Sequence, residues 1–237
     1  ADLALVQSII HPSIAVTVAP EGDFLFGALQ PMPTAIADRY ARVGGSASAG
    51  LYLLLSTDTA SEVVSYDPAT ATAGSGVAVQ GAASSLYLFP ADQGVLVLNR
   101  YDTSPRVQVV DGGTATVAEP PASGVVTMAA AVGGTILALV EDADGNPSWS
   151  AYGIGSGAAA DTSALPDPTT VTGLMVDGDT IRANTGSGTY STWAPDGTVT
   201  AGTMADITVE QVPLGDGREL GLGLTTLLTD SLSLDLL

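Results

Sequence analysis

Residues able to do chemistry are few in this sequence, and the best placed are oxygen donors. In EDADGNPS (141–148), Asp142, Asp144 and Asn146 occupy alternate positions, the spacing at which side-chain oxygens enclose calcium. The loop departs from that pattern, because its glycine precedes the third donor and no distal glutamate supplies a bidentate carboxylate. A hairpin with Asp-Gly at its tip accounts for the same residues, so any calcium held here is of the weak, extracellular kind. His11 is the sole imidazole and lies beside Pro12 between apolar segments. With no orienting partner in view it reads as a structural or loop residue, and a site needing two histidines is excluded. Cysteine is absent, which removes thiol nucleophiles, thiolate zinc, iron–sulfur clusters and redox pairs.

Carboxylates are plentiful but dispersed. Asp67, Asp111, Asp177, Asp179, Asp196 and Asp216 stand in turn-like contexts, where turn chemistry explains them without catalysis. Glu62, Glu119, Glu141 and Glu210 fall in separate stretches of chain, and no acid–base constellation or G-x-S-x-G elbow emerges. The run GIGSGAA (153–159) loosely matches a dinucleotide-binding loop, but no helix pattern follows it, so it reads as a turn. The expectation is a protein that is not an enzyme and carries no cofactor beyond weak calcium. For recognition, Tyr101 and Trp149 lie near hairpin loops and are the candidates for stacking on a sugar. Packing within strands, which are rich in aromatics, explains them too.

Charge narrows the partners. Twenty-five acidic residues face six arginines and no lysine, a formal charge of −19. That excludes a phosphate backbone as ligand and opposes anionic membranes. Residues 120–140 carry no charge and are long enough to span a bilayer. Pro120, Pro121, Gly133 and Gly134 interrupt the run, and acidic Glu119 and Glu141 flank it, so membrane insertion is not expected. Ala1 fits either removal of an initiator methionine or cleavage of an export signal.

The elements that must carry these residues are strands. Apolar residues alternate at Leu51, Leu53 and Leu55, at Val107 and Val109, and at Ile207 and Val209. Twenty-eight glycines and 14 prolines punctuate the chain. Almost no helix is expected; Thr34 to Val43 reads as a helical turn or as a loop entering a strand.

An internal repeat organises the strands. EVVSYDPATATAG, RVQVVDGGTATVA, WSAYGIGSGAAAD and YSTWAPDGTVTAG each run through an anchor into a turn. The anchors Tyr66, Val110, Tyr152 and Trp193 are 44, 42 and 41 residues apart. A fifth copy, IAVTVAPEGDFLFG, begins at Ile14. Each later anchor is preceded by two further apolar runs, so one unit is four short antiparallel strands. A four-stranded unit at this period resembles a β-propeller blade. The phrases YDPATATA and WAPDGTV are similar to those of propellers of the kelch and quinoprotein type, although no kelch or WD signature is present.

The resemblance implies an all-β, single small propeller of five four-stranded blades. Full blades are expected at about 38–80, 84–122, 125–166 and 171–206. A composite blade of 14–29 with 207–226 closes the ring and removes exposed sheet edges. Six unequal blades result if 229–237 forms an inner strand. Residues 1–13 and 227–237 remain as apolar tails that either add outer strands to the composite blade or dock another subunit. In the second case Leu232, Leu234 and Leu236 present one apolar face.

The functional expectation is a non-catalytic structural or binding propeller outside the cell. One reading is a surface-exposed subunit of a larger assembly, such as a virion tail, fibre or decoration protein, whose partners are other protein subunits or further copies. The alternative is an exported carbohydrate-binding, less readily carbohydrate-cleaving, propeller.

Overall fold

Apolar alternation resolves into 19 β-strands among the described residues of the computed structural model. These residues are 40–46, 48–57, 60–67, 72–101, 103–186, 188–203, 208–213, 219–224 and 232–236. The strands form five consecutive antiparallel sheets. The first contains β1 (Tyr40–Ser46), β2 (Gly50–Ser56), β3 (Ser61–Asp67), β4 (Thr72–Ala73) and β5 (Val77–Val79), the last two both paired to β3. The second contains β6 (Leu86–Pro90), β7 (Val95–Asn99), β8 (Val107–Asp111) and β9 (Thr114–Val117). The third is β10 (Val125–Val132), β11 (Thr135–Glu141) and β12 (Pro147–Gly153). The fourth is β13 (Val171–Asp177), β14 (Thr180–Thr185), β15 (Thr189–Trp193) and β16 (Val199–Thr203). The fifth is β17 (Thr208–Pro213), β18 (Glu219–Leu224) and β19 (Leu232–Leu236). A 3-10 turn at Pro168–Thr170 is the single helical element among the described residues, and no helix there is long and apolar enough to cross a membrane.

Each sheet is an up-and-down meander, and the first strands gather together. β1 lies against β6, β10 against β6 and β13, and β13 against β17. A parallel bridge joins Ala91, just after β6, to Ala131 of β10. First strands running the same way about a common axis, with later strands stepping outward, make a β-propeller. Close approach of the inner strands needs small residues. Ala129, Ala130 and Ala131 fill β10, and a Cβ at Gly44 of β1 would collide with Leu88 of β6.

Sheets stacked on both sides explain the strands that are apolar throughout. On β7, Val95 and Val97 join Leu54, Val63, Leu86 and Leu88 in the interface with the first sheet. Their neighbours Leu96 and Leu98 point the other way, into an interface with Val126, Ile136 and Ala138 of the third sheet. Leu137, Leu139 and Ala151 then meet Leu174, Ile181 and Trp193 of the fourth. All are buried, so each inner sheet contributes two faces to the core.

The repeat anchors occupy equivalent positions. Tyr66, Val110, Tyr152 and Trp193 lie on the third strands, opposite Leu51, Val95, Ile136 and Ile181 of the second strands. On the outer side they face Ala73, Ala115, Ala159 and Val199. The third sheet departs from the expected four strands. Residues 158–160 run beside β12, with Ala160 N–H donating to Ala151, but extend too briefly to count as a strand. The GIGSG stretch forms the turn before them, with Gly155 and Gly157 in the left-handed region at φ +75° and +63°. Tyr40–Ser46 is a strand, so the loop-into-strand reading holds for that part of 34–43. Apolar 120–140 divides into the end of a crossover, β10, the Gly133–Gly134 turn and most of β11.

At the C-terminus, β19 pairs with β18 through Leu220↔Leu236, Leu222↔Leu234 and Leu224↔Leu232. It is therefore the third strand of the fifth sheet. The inner strand that a sixth blade requires is not formed by these residues. The N-terminal half of the composite blade (14–29), His11 and the 1–13 tail lie outside the described residues.

Candidate functional site

In a meander, loops alternate between the two ends of the sheet. One end of the propeller therefore carries the loops from second to third strand, at 57–60, 100–106, 142–146 and 186–188, together with the crossovers to the next sheet. Tyr101 and the Asp142–Asn146 loop both belong to that end, on neighbouring sheets. The other end carries Gly133–Gly134 and the turns of Asp92, Asp111, Asp179 and Asp196.

The loop after β7 is braced from below. Asn99, buried at its base, donates from Nδ2 to the Thr103 carbonyl at 3.1 Å and to the Thr103 hydroxyl at 3.0 Å. Its Oδ1 accepts from the Tyr101 N–H at 3.3 Å. At the far side of the loop, Glu119 accepts from the Ser104 hydroxyl at 2.7 Å and from the Arg106 N–H and Nε, each at 2.9 Å. The Arg106 guanidinium also donates to the carbonyls of Pro120, Ala122 and Gly124. One side chain thus fastens the loop to the crossover between the second and third sheets. Held on this frame, Tyr101 is 59% exposed.

Arg100, which precedes Tyr101 in the chain, belongs to a grouping that sequence reasoning missed. Tyr87 of β6 receives two guanidinium groups, Arg42 of β1 at 3.5 Å from the ring centroid and Arg100 at 4.2 Å. Arg42 also donates to the Ser84 carbonyl at 3.3 Å. These three residues come from two sheets and are 45 and 13 residues apart in sequence, so no local motif marks them. The available signal was scarcity, since arginine supplies all the side-chain positive charge of the chain and Arg100 adjoins a tyrosine.

The other sequence candidates are placed differently. Trp149 of β12 packs against the interface of the third and fourth sheets, and its indole N–H donates to the Pro166 carbonyl at 2.8 Å. It is half-buried. Asp142 accepts from the N–H groups of Asp144 and Asn146, both at 2.9 Å, and from the Asn146 amide. The carboxylate is closing its own hairpin, with donors aimed at the oxygens a cation would need. Among the described residues, no three His, Cys, Asp or Glu side chains cluster as a metal site. Leu232, Leu234 and Leu236 lie on β19, whose backbone is paired within the chain's own sheet.

Electrostatics separates the acids into two kinds. Burial pushes Glu119 upward, but hydrogen bonds from Ser104 and Arg106 and the Arg106 charge outweigh it, leaving the carboxyl below its ordinary range. The Tyr152 hydroxyl, donating to the Ala118 carbonyl at 3.0 Å, is pushed far up by burial and by the Glu119 charge. Asp142, Asp161, Asp167 and Asp196 are exposed carboxylates. Hydrogen bonds from Asn146, Ser163, Thr169 and Thr198 respectively lower them. A carboxyl lowered by folding stabilises the folded state above its unfolded pKa, about 3.9 for Asp. That stabilisation is lost as pH falls through the folded value. The urea midpoint is therefore expected to drop below about pH 4. In Asp142→Asn the acid-dependent loss should be smaller, and identical pH profiles would show that the hairpin carboxylate is not involved.

No protein-family model matches the chain, the kelch and quinoprotein types included. No curated protein matches it either. Among solved structures, the crystal structure of BBS1N in complex with ARL6DN, soaked with mercury, is similar at 10% identity and a TM-score of 0.42. The match covers 83% of this chain and 63% of that one, so this chain spans less than two thirds of that chain's length. The propeller architecture rests on the strand order and sheet stacking described above.

Proposed function

We propose that the chain is a non-catalytic, exported binding module, a small β-propeller that recognises a saccharide at the end carrying the second-to-third-strand loops. The observation that supports this reading is Tyr101, an aromatic ring 59% exposed on a loop held by buried Asn99 and by the Arg106–Glu119 pair. A large exposed apolar ring on a rigid loop costs little conformational entropy on binding, which is how aromatic anchors gain affinity. A place in a larger assembly through Leu232, Leu234 and Leu236 is the weaker reading, because β18 of the same chain already pairs with one edge of their strand.

Tyr101→Ala is expected to leave stability within about 0.5 kcal/mol of the parent, since the ring is mostly exposed. It should weaken binding to a panel of immobilised oligosaccharides about tenfold, the loss of one stacking contact of order 1 kcal/mol. Binding unchanged by the substitution, or no member of the panel bound by the parent, would remove Tyr101 from the role given to it.

A further inference from the structure

The ligand's chemistry can be narrowed, on the premise of the binding reading above. Six arginines are the only cationic side chains in a chain with 25 acidic residues, so a place where two of them meet stands out. Arg42 and Arg100 lie 3.5 and 4.2 Å from the same Tyr87 centroid. Both guanidinium groups thus stack on the one tyrosine ring.

Arg100 is the accessible member. It is exposed, its backbone N–H donates to the Ser85 carbonyl at 2.9 Å, and its guanidinium has no carboxylate partner among the described residues. Arg106, six residues on, is by contrast neutralised by Glu119 at 2.9 Å. Tyr101 follows Arg100 directly. An exposed guanidinium fork one residue along the chain from an exposed aromatic side chain suits a sugar that carries a carboxylate, with the carboxylate on the fork and a C–H face on the aromatic.

We propose that the Arg100–Tyr101 loop, backed by Tyr87 and Arg42, binds a saccharide bearing a single carboxylate, of the sialic or uronic acid type. The charge of −19 repels polyanions at long range, which favours one carboxylate on a neutral sugar over a polyacidic peptide.

The test is titration calorimetry of the full chain with 3′-sialyllactose, a glucuronate-terminated disaccharide, lactose and a tri-glutamate peptide. Arg100→Gln, Arg100→Lys and Tyr101→Ala are compared with the parent, each checked for an unchanged circular dichroism spectrum. At least one acidic sugar should bind about tenfold more tightly than lactose, in keeping with one charge-assisted, bidentate contact. Arg100→Gln should erase that preference, and Arg100→Lys should restore only part of it. Tyr101→Ala should weaken acidic and neutral sugars alike. Equal binding of acidic and neutral sugars overturns the carboxylate assignment and leaves the saccharide-binding reading standing. Arg100-dependent binding of the peptide alone overturns the saccharide assignment. Binding of none of the four overturns both.

Discussion

Trp193→Ala should cost about 3–5 kcal/mol of stability, the range for truncating a large aromatic in a packed core. The side chain is fully buried in the interface of the third and fourth sheets, against Leu137, Leu139, Leu174 and Ile181. Its indole N–H donates to the Asp161 carbonyl at 2.8 Å, which ties residues outside β12 to the fourth sheet. Truncation therefore removes apolar contact, opens a cavity and leaves that carbonyl without its partner. A urea titration should show a lower midpoint with an unchanged slope, because the surface exposed on unfolding is almost the same. Trp193→Phe keeps much of the ring volume and should recover more than half of the loss. A cost below about 1 kcal/mol for the alanine variant would mean that the two sheets are not packed as described.

Arg106→Ala is expected to cost about 3–5 kcal/mol, the effect of removing one partner from a buried ion pair. The Arg106 side chain is only 12% exposed and that of Glu119 is 32% exposed, so the lower half of the range applies. Three carbonyls, of Pro120, Ala122 and Gly124, lose their donor at the same time. Arg106→Lys should recover less than half, because an ammonium cannot reproduce a planar fork that serves a carboxylate and several carbonyls together. In a double-mutant cycle with Glu119→Gln, the coupling measured at pH 7 should shrink as the pH falls through the lowered Glu119 pKa. Coupling that is absent at pH 7, or that does not depend on pH, would contradict the geometry.

The strand content and the period of the repeat were legible because both are local. Tyr66, Val110, Tyr152 and Trp193 could be aligned by their turns, and the structure gives all four the same place on a third strand. The short outer edge of the third sheet was not legible. GIGSG differs from the other anchor turns in length and composition, and only backbone pairing shows that 158–160 does not become a full strand. The candidate site was half visible. Tyr101 could be singled out as an aromatic near a loop, but Trp149 has the same signature, and only the Pro166 carbonyl and the neighbouring sheet separate the two. Arg42, Tyr87 and Arg100 meet across a sheet interface, and sequence spacing carries no information about which side chains two sheets bring face to face.

Sheets that are buried on both faces also set a schedule for synthesis. When the ribosome has released the second sheet, Leu96, Leu98, Val107 and Val109 form an apolar surface whose partners in the third sheet have yet to be made. The next repeat arrives about 42 residues later, which at 5–20 residues per second is roughly 2–8 s of elongation. During that interval the nascent chain displays a face that is ready to stack on whatever sheet it meets first, including one from a neighbouring ribosome on the same message.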